Sequence, residues 1–283
     1  MLVRGAFREP IELVAVGHLT LDRISGESRL GGSAAYAAVT ASRLGVRAGI
    51  VTSVAAEFPY WSDLEGIEVH YREAERTTEF ENLYQSGERR QRVLAQAAPL
   101  DDASIASIRP RLAVDAAVLY CPVVHEVRTS LSPLSPRGLC AVAPQGFYRA
   151  WDAGGFVSAV EWADARSALA HVDFVSMSEE DAVAPEELAE DFTGKAFAVT
   201  KGVFGSRVYS GADVYDFPAL AAREVDPTGA GDVFASAFLV ALRERRPVPL
   251  ASRFATAAAS LAVEGPGIAA IASRAAVERR AAS

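Results

Sequence analysis

Residues 225–232 read VDPTGAGD, and an apolar run, VFASAFLVAL, follows directly. The run has the character of a helix, which places three very small residues at its start and an aspartate inside its first turn. A helix N-terminus offers backbone N–H groups without intrahelical partners, and the positive end of the macrodipole. Bulky side chains would hold a ligand away from those groups. Gly229, Ala230 and Gly231 remove that obstacle, so an anion can rest on the amides. Asp232 would repel an anion that was merely stored there. It makes better sense as a base that takes the proton of an attacking hydroxyl, while the amides stabilise charge on a transferred phosphoryl group. The stretch suggests phosphoryl transfer to an alcohol. The same residues also suit a tight turn in which Asp232 is only an acid at a helix start.

The elements that must position this turn follow from the rest of the chain. At 283 residues and 50% apolar composition, a large core is available, and the net charge of −8 argues against a nucleic-acid surface. An acidic protein can still hold a locally positive pocket. The two cysteines, Cys121 and Cys140, form neither a metal motif nor a disulfide framework. No signal-peptide pattern and no apolar run of transmembrane length is present, so a soluble, cytoplasmic protein is expected.

Short apolar runs alternate with helical ones. Strands are predicted at 11–17, at RAGIVTSVA, at 116–124, 138–144, DFVSMS and KAFAVTKG, with a hairpin around GSRVYSGADVYDFP. Helices are predicted at 32–45, at GFVSAVEWADARSALAHV, and at about 230–244 and 248–264. This alternation implies crossover units and a mainly parallel sheet covered on both faces. Residues 67–95 break the rhythm by alternating polar and apolar letters, and read as two or three half-exposed strands forming a small β flap.

DPTGAGDVFASAF closely resembles the second signature of the ribokinase-like PfkB carbohydrate kinases, and LGGSAAYAAVTASRLG is similar to their first. The resemblance implies a single domain over 1–283: an α/β, ribokinase-like three-layer fold with a mainly parallel central sheet and a β flap, or lid, contributed mainly by about 67–95. It implies Asp232 as catalytic base, with Gly229, Ala230 and Gly231 as the anion hole. Asp22, Gly31, Gly32 and Ser33 would hold the acceptor. Tyr36 stands where the family often has asparagine. AVTKGVFGSRVY is similar to the nucleotide loop, so Thr200, Gly202 and Gly205 would line the nucleotide, with Ser178 and Thr256 nearby. MSEEDA lies where the family carries residues of the Mg²⁺ shell, which gives Glu180 and Asp181 as candidates acting through water; Ser178 as a helix N-cap explains the same letters. Asp226, Thr228 and Gly267 match the region that binds a monovalent cation, such as K⁺, in many relatives. Pro227 replaces the more usual residue there. ATP and Mg²⁺ are the implied cofactors, and relatives often dimerise through the flap, so a homodimer is open. Neither a nucleic-acid nor a membrane partner is expected.

Within the family, the flap and its flanking motifs look most like the myo-inositol kinase branch. On that resemblance Glu81, Asn82, Arg89 and Gln145 would contact a cyclitol or related polyol. Each of the flap residues also suits a solvated hairpin face. Phe80 and Tyr84 keep a nucleoside acceptor open, and a catalytically silent sugar sensor is the rival from outside enzymes. No P-loop and no Gly-x-Ser-x-Gly elbow occurs, and His18, His70, His125 and His171 show no metal spacing.

Overall fold

The strand Ile11–Val16 shows how the sequence builds the centre of the molecule. A computed structural model describes residues 1–24, 26–85, 88–182 and 184–283. This strand lies between two parallel neighbours, Ala48–Ala55 and Leu112–Tyr120. Successive strand side chains point to opposite faces. Leu13 and Ala15 accordingly enter one apolar cluster, and Val14 and Val16 the other. Ile11 joins Val14 and Val16, out of alternation, because the pairing with Leu112–Tyr120 shifts between Ile11 and Leu13. Burial on both faces calls for apolar letters at nearly every position, which is why the strand reads as a continuous run.

Among the described residues, ten strands form one sheet in the order 2–4, 68–74, 48–55, 11–16, 112–120, 140–142, 174–178, 196–200, 206–210, 213–217. Neighbours from 68–74 through 196–200 are parallel. The two margins are antiparallel. Leu112–Tyr120 stops before Pro122, whose nitrogen has no proton for a ladder, so this strand ends short of the expected 124. Helices Ser33–Arg43, Ala230–Arg243 and Val248–Ala262 cover one face. There Phe174 of the sheet stacks on Phe238 with ring centroids 4.2 Å apart, and Ser236 Oγ donates to the Ala37 carbonyl at 2.7 Å. Shorter pieces such as Asp102–Ala106 and Pro185–Glu190 pack on the other face. The chain therefore has the expected α/β architecture, three layers around a mainly parallel sheet. No helix among the described residues is long and apolar enough to cross a membrane.

Two expectations are corrected. Residues 155–172 are not one helix. Val157–Ala159 is a strand paired antiparallel with Arg149–Trp151, and only Ala165–Ala168 is helical. Tertiary contacts override a weak local propensity: the Gly155 carbonyl accepts from the Val93 N–H at 2.8 Å, and Trp162 stacks on Phe147 at 4.5 Å.

The second correction concerns the lid. Its four strands run in the order 27–31, 20–24, 78–85, 88–95, with 20–24 and 78–85 parallel and the outer pairs antiparallel. Residues 67–95 do not supply it alone. Glu68–Ala74 pairs inside the central sheet, and Thr20–Ile24 and Glu27–Gly31 provide half of the lid's strands. The polar letters of Glu68–Ala74 misled because they are paired within the protein. Glu68 is fully buried and takes hydrogen bonds from Arg111 (2.9 Å), His70 (2.8 Å) and the Phe7 N–H (2.8 Å). Burial works against its charge, but these bonds outweigh burial and hold the carboxyl down at about 2.

Candidate active site

A cleft of about 1020 Å³ is lined by the lid, by the carboxyl ends of the strands Phe174–Ser178 and Ala196–Thr200, and by the start of the helix Ala230–Arg243. That is where ligands of open α/β sheets bind.

The helix start is shaped by Gly229 and Gly231 in different ways. Gly229 is the N-cap, at φ 79°, and a Cβ there would lie 2.2 Å from the Tyr36 ring. Glycine is required on both counts. At Gly231 a Cβ would meet nothing within 4 Å, so its omission leaves open space directly in front of the helix. Ala230 turns its N–H to the Pro227 carbonyl at 3.2 Å. Of the three expected anion-hole residues, Ala230 thus has its amide already engaged. Among the described residues the N–H groups of Gly229, Gly231 and Asp232 are the ones left to an anion, as the first turn of a helix provides.

Asp232 lies half-buried at the cleft floor in the first helical turn. Burial pushes its carboxyl up to about 6, against the Ser33 hydroxyl and the Arg149 guanidinium, which favour the charged form; Asp181 and Asp22 add repulsion. Asp22 is buried on the lid strand Thr20–Ile24, and accepts from Thr20 Oγ1 at 2.7 Å. Gly31 sits behind it: a Cβ there would lie 2.3 Å from the Asp22 carboxyl. Gly32, at φ 93°, is held against the His18 carbonyl and brings Ser33 into the cleft.

Asp181 accepts from the Gln145 amide at 3.1 Å and from the Ser178 N–H at 2.8 Å. Ser178 ends a strand and caps no helix; its hydroxyl accepts from the Glu180 N–H at 3.2 Å. Thr200, Gly202 and Gly205 line the same cleft. Gly205 is also demanded by the fold, at φ 95° and with a Cβ position only 2.0 Å from the Phe217 carbonyl. Thr256 Oγ1 is buried on the cleft wall without a hydrogen-bond partner among the described residues.

Some expected residues do not join. Glu81 pairs outward with Arg92 at 3.7 Å, whereas Asn82 is buried and accepts from Gln91 at 3.2 Å. Neighbours on one strand cannot share a face, so the structure does not bring Glu81 and Asn82 to the same side of the lid, contrary to the expectation. The Arg89 side chain lies outside the described residues. Thr228 lines the cleft, and Asp226 and Gly267 meet behind it, the Gly267 N–H donating to Asp226 Oδ2 at 3.2 Å. Among the described residues, the cation in contact with that carboxylate is Arg29, at 2.7 Å.

Sequence reasoning missed Arg149, which lines the cleft, lies over the Phe80 ring at 6.0 Å and acts on Asp232. It also missed Arg29 and Lys201, the latter in the cleft and 3.3 Å from Glu186. Arg149 stands four residues after Gln145, in APQGFYR, and its place was readable only from the strand end it follows.

Residues 155–274 match the pfkB family carbohydrate kinase family. The ribokinase of Bacillus subtilis (strain 168) is 45% identical over 65 residues, 23% of this chain and 22% of that protein. The inositol 3-kinase of Arabidopsis thaliana is 41% identical over 69 residues, 24% of this chain and 20% of that protein. The sequence matches thus span less than a quarter of either relative's length. Similarity of fold extends further. A pyrophosphate-dependent kinase in the ribokinase family, complexed with a pyrophosphate analog and myo-inositol, superposes with a TM-score of 0.75 at 21% identity, covering 94% of this chain and 99% of that one. Arabidopsis thaliana ribokinase complexed with ribose and ATP superposes with a TM-score of 0.68 at 20% identity, covering 96% and 99%. The chain thus has the fold of the ribokinase-family kinases, and within it residues 155–274 match the PfkB family of carbohydrate kinases.

Proposed function

We propose that this protein transfers the terminal phosphoryl group of ATP to a hydroxyl of a small polyol or sugar. The observation that carries the proposal is the meeting, in one cleft, of Asp232 with an unobstructed helix N-terminus and with Asp22 of the lid. Asp232 accepts the acceptor's hydroxyl proton while that oxygen attacks the terminal phosphorus. The new P–O bond forms as the bond to the bridging oxygen breaks, ADP leaves, and the proton passes from Asp232 to water. A base at about 6 is ionised at neutral pH and close enough to it to hold the proton in passing. The Gly229, Gly231 and Asp232 amides receive the developing charge, and Arg149 offsets part of the repulsion among the carboxylates.

Three features support ATP as donor. The cleft continues past the helix start between Gly202–Ser206, Ala219–Ala222 and Thr256–Val263, farther than a bare diphosphate needs. Val203 and Phe204, 73% and 80% exposed, offer an apolar rim for a base. The buried Thr256 hydroxyl has no hydrogen-bond partner among the described residues. For Mg²⁺, carboxylate and water oxygens are the ligands this ion takes, and Asp181 and Glu180 line the cleft where they would hold it, Glu180 through water. Held there, the ion would supply positive charge that offsets the charge of the phosphates.

The acceptor we favour is a cyclitol, myo-inositol first. The lid turns Asp22, Asn82 and Gln91 to its inner side, near Arg149, and a ring with a hydroxyl on each carbon needs partners all round its rim. A buried hydroxyl left unpaired costs about 1–3 kcal/mol. The stretch shared with an inositol 3-kinase and the myo-inositol-bound relative of this fold agree with the choice. The test is ADP release with myo-inositol, ribose, fructose and adenosine, and with pyrophosphate replacing ATP. Myo-inositol with ATP is expected to give the highest kcat/KM. A tenfold advantage for ribose or adenosine, about 1.4 kcal/mol at the transition state, overturns the acceptor. Faster turnover with pyrophosphate overturns the donor, and no turnover with any pair overturns the kinase reading.

A further inference from the structure

Arg29 stands on the lid strand Glu27–Gly31, directly across the antiparallel pair from Asp22. Its Nη1 donates to Asp226 Oδ2 at 2.7 Å, and its Nη2 reaches Thr228 Oγ1 at 3.4 Å. The same Oδ2 accepts from the Gly267 N–H at 3.2 Å, while Oδ1 accepts from the Thr228 N–H at 3.0 Å. The Val225 and Asp226 N–H groups both meet the Val263 carbonyl, at 2.7 and 3.2 Å. Three separate segments therefore close on one guanidinium: the lid, the turn that leads into the helix start, and the turn at 263–267. Burial works to raise the Asp226 carboxyl, but the bonds from Thr228 and Arg29 outweigh it and hold it below the ordinary range.

The resemblance to relatives put a monovalent cation among Asp226, Thr228 and Gly267. The residues present do not fit one. A cation ligated by Asp226 would compete for a carboxylate oxygen with a guanidinium that carries its charge at every physiological pH and is already hydrogen-bonded in place. The pair is partly buried, with the Asp226 side chain 13% exposed, so salt screens it less than a surface pair.

We propose that Arg29 replaces the monovalent cation. The kinetic part of this inference rests on the kinase reading above. Arg29 fixes the 226–228 turn, and the amides of Gly229, Gly231 and Asp232 follow that turn directly. Because Arg29 is carried by the lid and shares its strand pair with Asp22, the charge that orders the phosphate site arrives with the strand that holds the acceptor. Arg29 is thus a positioning residue whose charge links acceptor capture to the phosphate end of the cleft, and the protein has no need of K⁺.

The experiment compares the whole protein and its Arg29→Ala variant in potassium chloride and in tetramethylammonium chloride at equal ionic strength. Thermal melting and steady-state kinetics with ATP and myo-inositol are measured in both. The wild type is expected to melt at the same temperature and keep kcat within twofold in either salt. Arg29→Ala is expected to lose at least tenfold in kcat in tetramethylammonium, and to gain a melting response to K⁺ together with partial recovery by K⁺ or by millimolar guanidinium. A K⁺-dependent rise of the wild-type melting temperature, or tenfold activation of the wild type by K⁺, overturns the proposal. So does an Arg29→Ala variant that behaves as wild type in both salts. Should Arg29→Ala fail to fold, Arg29→Lys, expected to stay indifferent to K⁺, decides the matter with the wild-type comparison. If no acceptor is turned over, the kinase reading fails, while the melting comparison still judges Arg29.

Discussion

The two ends of the cleft are built on opposite plans. The proposed phosphate end is contiguous: residues 226–232 form one turn at the head of the helix Ala230–Arg243, whose following residues are buried almost without break. The proposed acceptor end is composite. Asp22, Asn82 and Gln91 come from three strands of the lid, and Arg149 from the short strand Arg149–Trp151 outside the central sheet. A helix terminus aims its free amides by its own geometry, so few residues define the site and each is hard to replace. A lid aims side chains through strand register and parity, so the work is shared and each residue matters less. Substitutions at the phosphate end should therefore cost most in kcat, and those in the lid should act mainly on acceptor KM.

The largest effect expected is that of Asp232→Asn. Loss of a general base lowers kcat by about 10²–10⁴-fold, with ATP binding by calorimetry nearly unchanged. The pH dependence has a definite sign. The carboxyl sits at about 6, above its ordinary value, so kcat/KM of the wild type falls as pH drops through about 6. Stability moves the other way for this group. Between its unfolded value and about 6 the folded state binds more protons than the unfolded state, so its contribution to stability improves as pH falls through that window and is lost as pH rises above it. Asp232→Asn, which removes the buried charge, is expected to melt a few degrees higher than wild type at pH 7 while being nearly inactive. A lower melting temperature with the same loss of activity would mean that Asp232 holds the fold rather than the proton.

The next effect separates two glycines two residues apart. Gly229→Ala adds a methyl at φ 79° against the Tyr36 ring, so it should destabilise the protein by about 1–3 kcal/mol, read from urea unfolding. Gly231→Ala meets no protein atom and sits inside the first helical turn, where alanine is favoured over glycine by up to about 1 kcal/mol. It should leave stability equal or improved, yet lower kcat/KM for ATP about tenfold by filling the space before the amides. Equal kinetics for Gly231→Ala and wild type would put the phosphate elsewhere.

The same contrast explains what could be read from the letters. The central sheet, the helices at 230–243 and 248–262 and the turn between Asp226 and Asp232 were legible because each is written locally, in apolar runs or consecutive small residues. Three things were not. Glu68 and His70 looked exposed, but partners at Arg111 and Phe7, distant in sequence, bury them, so a core strand was taken for flap. Val157–Ala159 became a strand through pairing with Arg149–Trp151, which no local pattern announces. Arg29 reaches a carboxylate 197 residues away, and only a known pairing of the lid strands would have aimed it there. Long-range partners, rather than propensities, made the difference in all three.

The smallest effect tests the lid by parity alone. Glu81 and Asn82 are adjacent, both polar, and equally plausible as ligands on the sequence. On the strand Thr78–Gln85 they face opposite ways: Asn82 is 4% exposed and bonded to Gln91 on the inner side, and Glu81 pairs with Arg92 on the outer side. Asn82→Ala removes an amide that can bond both Gln91 and an acceptor hydroxyl. One net hydrogen bond is worth about 0.5–1.5 kcal/mol, so acceptor KM should rise about three- to tenfold with kcat changed less than twofold. Glu81→Ala deletes one partner of an exposed ion pair, worth about 0–1 kcal/mol to stability, and should leave both constants within twofold. The Glu81→Ala, Asn82→Ala double variant should then match Asn82→Ala alone, since the outer residue adds nothing. Steady-state kinetics of the three variants with myo-inositol check this. A larger KM effect at Glu81 than at Asn82 would mean that the strand presents its other face to the acceptor, and the cyclitol site would have to be rebuilt around Leu21, Arg23 and Glu81.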